Sequence, residues 1–237
     1  PTPELGTVLG STQVVGNRAV VFVDAAGLEA KLGEEAGVGA LDGEALLQQK
    51  LPAAQLIRKY TIVDGRTVAD QAYYRSDALD KVELPRGVEE VGQFSFARSS
   101  MTAVTVPDGV KRIGYGAFYH CDSLAEVTLP DTVENVEPKA FSKTAWVESF
   151  LQDDTADDFL ISGGVLVAYR GESAEVTVPD GVRVIAAEAF ARHSEIEQVT
   201  LPDSIRVIGE AAFENCTGIR KVTLPEGLEQ VKDRVFN

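Results

Sequence analysis

Apolar and polar residues alternate along this chain in short runs that return at a fixed interval. In Leu124-Ala-Glu-Val-Thr-Leu129 the side chains of Val127 and Leu129 fall on one side of an extended segment and those of Glu126 and Thr128 on the other, as in a half-buried strand. The run ends at Pro130, which has no N–H to give to a sheet. The pattern comes back with its proline at positions 85, 107, 130, 179, 202 and 225, at steps of 22 or 23 residues apart from a step of 49 after Pro130. Six residues after each proline stands an aliphatic residue (Val91, Ile113, Val136, Ile185, Ile208, Val231) and eleven after it a phenylalanine (Phe96, Phe118, Phe141, Phe190, Phe213, Phe236). Counting 23 back from Pro85 reaches Ile62; the proline is lost there, but Val68 and Tyr73 keep the register, so a degenerate first unit begins near Thr61. Self-similarity at this period marks a solenoid. One coil cannot bury its own phenylalanine, whereas stacked coils make continuous columns of Val, Leu, Ile and Phe.

Each unit predicts a strand, a turn after the proline (Asp-Gly at Asp108-Gly109 and Asp180-Gly181), and a return through short irregular or 3₁₀ segments at the Ile-Gly and Ala-Phe pieces. Residues 1–60 lack the repeat. Gln13–Val15 and Arg18–Val23 flank Gly16-Asn17, a hairpin signal; Asp24 is placed to cap a short helix through Leu32, and Asp42 a second one through Lys50 that Pro52 stops. A solenoid needs its open end covered by an atypical element, so 1–60 reads as a small α+β N-terminal cap and 61–237 as the array. A separate small binding domain is the alternative for 1–60. Within the array, residues of about 142–173 are irregular. Phe159–Ile161 and Val165–Tyr169 surround Ser162-Gly163-Gly164, which predicts a hairpin and loop projecting from one irregular coil, with Trp146 packed over that coil.

The motif VTLPDGVxxIGxxAFxxCxxL resembles the BspA-like, or treponemal-type, class of bacterial leucine-rich repeats over roughly residues 61–237. It departs from that class where His193 takes the cysteine position and where the insertion follows Phe141. The expected fold is therefore a right-handed leucine-rich-repeat coil with a parallel β-sheet on one face and short irregular segments on the other. The resemblance implies a secreted or cell-surface protein that binds a protein partner, such as a host or extracellular-matrix protein.

Composition changes this picture little. The net charge of −15 disfavours nucleic acid and anionic membranes as partners. It serves solubility or the steering of a basic partner; 1–60 carries −2 of it, so the array is the acidic part. No run approaches the roughly 20 apolar residues of a membrane span. The sequence starts without Met and breaks off mid-repeat, which reads as a processed or trimmed chain.

The candidate binding residues are those expected to point outward from the strands. One column holds Glu83, Thr105, Thr128, Thr177, Thr200 and Thr223; two residues earlier stand Lys81, Ala103, Glu126, Glu175, Gln198 and Lys221. Threonine suits a half-exposed strand for its own sake, so the variable column is the better source of specificity. Cys121 and Cys216 share one repeat position on distant coils and are expected to be free, buried thiols acting as small hydrophobes. His120 is expected to face solvent and His193 to pack in a loop. Neither lies in a zinc or catalytic pattern. Asp153, Asp154, Asp157 and Asp158 fit no calcium loop and read as a solvated acidic stretch. Gly37, Gly39 and Gly43 do not make a dinucleotide loop. No enzyme, metal or cofactor is predicted. A structural spacer of a larger surface protein is the alternative to a binding module.

Overall fold

The computed structural model describes residues 9–15, 18–24, 61–64, 66–77, 79–84, 86–153, 155 and 157–237. Strands β1 (Leu9–Val15) and β2 (Arg18–Asp24) form the antiparallel hairpin expected around Gly16-Asn17, with Val15 opposite Arg18. The two helices expected between Asp24 and Lys50 lie outside the described residues. β2 pairs in parallel with β3 (Thr61–Asp64), which folds back onto β4 (Thr67–Val68) and starts the array.

The array is a parallel β-solenoid. Its coils are numbered here as coil 1 (62–84), coil 2 (85–106), coil 3 (107–129), coil 4 (130–152), coil 5 (153–178), coil 6 (179–201), coil 7 (202–224) and the partial coil 8 (225–237). The outward-facing strands are β5 (Lys81–Glu83), β7 (Ala103–Thr105) and β9 (Glu126–Thr128), which stack in parallel. A second ladder, not foreseen from the sequence, runs from β4 through the two-residue strands β6 (Glu90–Val91), β8 (Arg112–Ile113) and β10 (Asn135–Val136). It is built at the aliphatic position six residues after the proline, where the pattern is too short to read as a strand.

The return corner carries a third ladder. Gly116, Phe118 and His120 donate their N–H groups to the carbonyls of Pro138, Ala140 and Ser142 on the next coil, at 3.1, 2.8 and 3.0 Å. Alternate N–H groups can all point the same way because residues nine and thirteen after the proline take positive φ: Phe94 and Arg98 in coil 2, Glu188 and Arg192 in coil 6, Ala211 and Asn215 in coil 7. A left-handed residue with a side chain costs roughly 1–2 kcal/mol, which these inter-coil bonds offset. The corners are the irregular alternative of the two expected, a series of turns with no 3₁₀ segment among the described residues.

Inside, the predicted aromatic column is present. Tyr73, Phe96, Phe118 and Phe141 stack at centroid spacings of 4.9, 5.3 and 5.2 Å with nearly parallel planes. Tyr169, Phe190, Phe213 and Phe236 form a second stack at 5.0, 4.7 and 5.5 Å. Each fully buried ring contributes about 1.5–3 kcal/mol.

Between the two stacks the chain departs from the repeat. Helix α1 (Ala145–Gln152) follows Phe141; the Thr144 hydroxyl caps it, accepting from the Val147 N–H at 3.3 Å and donating to the Phe141 carbonyl at 2.8 Å. Trp146 on α1 meets Phe141 edge-on at 5.3 Å, the packed role expected of it. Then β11 (Phe159–Ser162) and β12 (Val165–Tyr169) make the expected hairpin, with Gly163 and Gly164 at φ of +55° and +71°. It does not project. Every residue of β12 is buried, and β12 pairs in parallel with β14 (Val184–Ile185), so it serves as coil 5's strand in the second ladder. Val165-Leu-Val-Ala-Tyr169 is apolar on both faces, which only an interior strand accommodates. The array resumes with β13 (Glu175–Thr177), β15 (Gln198–Thr200) and β17 (Lys221–Thr223) in one sheet. The second ladder continues from β14 through β16 (Val207–Ile208) and β18 (Gln230–Val231).

The corner of coil 5 is short. The aromatic follows the aliphatic by five residues in regular coils (Ile113 to Phe118) and by three in coil 5 (Leu166 to Tyr169). Coils 4 and 6 meet across the gap: the Ala187 N–H reaches the Val136 carbonyl at 3.0 Å, and the Glu188 carboxylate accepts from the Lys139 N–H at 3.1 Å.

Candidate functional site

The strand face is where the sequence placed it. Lys81, Thr105, Glu126, Thr128, Glu175, Thr177, Lys221 and Thr223 are exposed, and Gln198 and Thr200 are half-buried. Val82, Val104, Val176 and Val199, at the intervening positions, are buried. Strand pairing aligns Lys81, Ala103 and Glu126 across one sheet and Glu175, Gln198 and Lys221 across the other. The two sheets therefore carry opposite charge orders along the array. The columns are not continuous, because in coil 4 helix α1 takes the place of the outward strand and divides the face into two three-stranded sheets.

The position fourteen residues after the proline is a buried or half-buried polar column: Ser76, Ser99, Cys121, Thr144, His193 and Cys216. Cys121 and Cys216 are free and buried, as expected, but they are more than space-fillers. Their thiols donate to the carbonyls of Phe96 and Phe190 at 3.0 and 2.9 Å. Burial pushes both thiols above the ordinary cysteine value, which suppresses thiolate chemistry. His193 performs the same task with a ring: its Nε2 lies 3.2 Å from the Tyr169 carbonyl and its Nδ1 2.7 Å from Glu195. Burial pushes the Glu195 carboxyl up, but a backbone N–H and His193 outweigh it and leave it below the ordinary value. His120 is half-buried against Tyr119, with Nδ1 3.2 Å from Asp122.

Aromatic residues off the core column, which the periodicity does not single out, gather at the return corners of coils 1–3. Phe94 sits between Tyr115 (5.3 Å, 81°) and Tyr119 (6.5 Å, 65°), and all three are half-buried. Phe94 has φ of +51°, an uncommon state for a bulky residue. Its ring occupies space left by Gly116, where an added Cβ would lie 2.5 Å from Phe94 Cε1. Lys139 Nζ stands 5.7 Å from the Tyr115 ring centre, and the Tyr115 hydroxyl holds the ammonium above its ordinary pKa. Arg75 lies 5.4 Å over Tyr74, and Arg98 is exposed. The corner segments 70–76, 93–99, 115–121 and 138–144 carry Arg75, Arg98, Lys139 and Lys143 against the single carboxylate Asp70. Their counterparts on coils 6–8 carry Glu188, Glu210, Glu214 and Asp233 against Arg192 and Arg234. The available signal was the aromatic residues eight, nine and twelve after the proline, positions the core does not use.

The short corner of coil 5 leaves a notch of about 230 Å³ between coils 4 and 6, with an alanine-rich floor (Ala140, Ala186, Ala189) and Leu151 of α1 at its side. Asp153 caps the C-terminus of α1 and accepts from Thr155, and Asp157 and Asp158 are exposed. Asp154, Gly37, Gly39 and Gly43 lie outside the described residues. Among the described residues no group of three or more His, Cys, Asp or Glu side chains is arranged to hold a metal ion, and no helix is long and apolar enough to cross a membrane.

Stacked coils with a half-exposed strand, a proline turn and a buried aromatic define a leucine-rich-repeat solenoid. The chain belongs to the BspA-type leucine-rich repeat family, whose repeat region matches residues 57–157 and 169–237 in six copies; the unmatched stretch between them falls on the β11–β12 hairpin. Among solved structures it is similar to a leucine-rich repeat protein from Bacteroides ovatus (21% identity, TM-score 0.35, covering 70% of this chain and 43% of that one). It is also similar to a leucine-rich cell-surface protein from Faecalibacterium prausnitzii (21% identity, TM-score 0.32, 72% and 74%) and to the T. pallidum leucine-rich repeat protein (26% identity, TM-score 0.36, 72% and 70%). The chain thus spans less than half the length of the Bacteroides protein. No curated protein matches it.

Proposed function

We propose that this chain is an adhesin-like module of a bacterial cell-surface protein and that it binds a host or extracellular-matrix protein through its strand face. The observation that carries the reading is the pair of sheets on which Lys81, Glu126, Gln198 and Lys221 stand out from a backbone held by three inter-coil ladders. The core dictates the valines between them but not these four identities, and a rigid scaffold lowers the ordering cost of binding. A few of these side chains carry most of the affinity, as in protein interfaces generally. The test is a binding screen against immobilised extracellular-matrix and serum proteins, with the fourfold alanine variant of these residues alongside. Saturable binding that the variant loses, at unchanged circular dichroism, supports the reading. A folded sample that binds nothing transfers weight to a spacer role for the array.

A further inference from the structure

We propose that the return corner of coils 2–4, centred on Phe94, Tyr115 and Tyr119 and flanked by Arg98 and Lys139, is a second docking surface, for an acidic peptide segment with an aliphatic or aromatic anchor. It shares no residue with the strand face and does not depend on the reading given for that face. Three observations converge on it. The first is that the fold does not require these rings: the core column is filled by Phe96, Phe118 and Phe141, all buried, whereas Phe94, Tyr115 and Tyr119 lie half-exposed above it. Position nine is left-handed in every regular corner, so the backbone of Phe94 follows the fold, but its ring is a choice of the sequence, and coil 3 places Gly116 where a side chain would displace it.

The second observation is charge. The protein as a whole is strongly acidic, yet the corner segments of coils 1–4 carry four cations against one carboxylate. Arg98 is exposed beside the rings, and the Lys139 ammonium is held over Tyr115. Lys143 is already engaged by Glu148 and Arg75 lies over Tyr74 of coil 1, so Arg98 and Lys139 are the corner cations of coils 2–4 left to meet an incoming anion. At physiological salt the screening length is about 8 Å. A partner touching the corner therefore feels these cations, and Glu188 beside Lys139, more than the remote net charge.

The third observation is ring geometry, which sets the class of partner. The rings meet at 81° and 65°, so each covers part of the next. The rings are in edge-to-face contact with one another, so they present a joined apolar ridge on which an aliphatic or aromatic side chain of a partner can pack. Tyrosine and arginine around a partly desolvated centre are the residues that dominate protein interfaces, and arginine clusters recognise acidic motifs.

The test uses the intact chain to select from displayed random 12-residue peptides, alongside a variant carrying Arg98→Glu and Lys139→Glu. Both substituted side chains are exposed, so the variant is expected to fold; Tyr119→Ala is a second variant that leaves charge untouched. Selection is expected to enrich acid-rich sequences with one aromatic or large aliphatic residue. Synthetic copies of the enriched peptides should bind the double variant and Tyr119→Ala at least tenfold more weakly, while the strand-face variant binds them as the parent does. No enrichment over the double variant overturns the proposal, as does enrichment of basic peptides or of peptides that bind all variants alike. Dextran sulfate serves as a polyanion without apolar anchors; if it binds at the corner where no peptide does, the surface belongs to an anionic polysaccharide and the peptide assignment is wrong.

Discussion

The ring of Phe118 is fully buried and stacked on both faces by Phe96 and Phe141. Phe118→Ala should therefore cost about 3–5 kcal/mol, because its coil neighbours are fixed by backbone ladders and cannot collapse into the void. A loss below about 1 kcal/mol in urea denaturation would contradict the stacked column. His193 poses a finer question. Cysteine solves the same problem in coils 3 and 7, giving one hydrogen to the aromatic carbonyl of the preceding coil. His193→Cys should keep that bond and stay within about 1 kcal/mol of the parent, whereas His193→Ala strands the Tyr169 carbonyl and should cost about 1–3 kcal/mol. Equal losses in the two variants would show that the ring matters for its packing and its Glu195 pair instead. At this scale the sequence showed which residues recur but not what they bond. The fourteenth position reads as Ser, Ser, Cys, Thr, His and Cys, and the role that Cys121, His193 and Cys216 share appears only once the aromatic carbonyls are in place.

Among the elements, the strands facing outward and both hairpins were legible, since alternation and a two-residue turn are local signals. Three features were not. The two-residue ladder strands are too short to show a period. Helix α1 lacks a Glu or Gln at its third position, where Val147 stands, so no capping box announces it. The hairpin was expected to project because it is additional length, yet β12 is taken into the array; what decides its place is apolarity on both faces. Its turn fits closely as well. Leu129 donates its N–H to the Ser162 hydroxyl at 3.0 Å, and a Cβ on Gly163 would lie 2.3 Å from the Leu129 carbonyl oxygen. Gly163→Ala combines that clash with a left-handed φ and should destabilise the protein by about 2 kcal/mol or more. Thermal unfolding of the variant beside Gly181→Ala, whose Cβ meets nothing, separates the clash from the strain that both share. Equal losses would mean the turn is not pressed against coil 4.

Over the whole molecule, the array behaves as a one-dimensional stack in which each coil is stabilised by its neighbours. Coil 8 has a neighbour on one side only among the described residues, and Leu224, Val231 and Phe236 are about half exposed at this end. Hydrogen exchange should therefore be fastest at the amides of 225–237 and slowest in coils 2–4. Uniform protection along the array would indicate that the end is covered in solution. The overall plan was the most legible part of the chain, because a period survives substitutions that obscure any one coil. The candidate surfaces were half legible: the strand columns follow from alternation, but the aromatic corner needs the two left-handed residues that bring Phe94 over Gly116.

The shortened corner between Leu166 and Tyr169 has a consequence for how such an array changes length. Regular coils are interchangeable, so a 23-residue unit added to or lost from either arm leaves its neighbours the same contacts. The junction is different: Val136 and Lys139 bond to residues two coils away, and that bridge exists only where one coil is short on exactly one corner. It gives an otherwise translational object a fixed origin. Duplication between the aromatic corner and the junction moves that corner away from it, duplication within coils 6–8 lengthens only the C-terminal arm, and the spacing between the two arms stays constant.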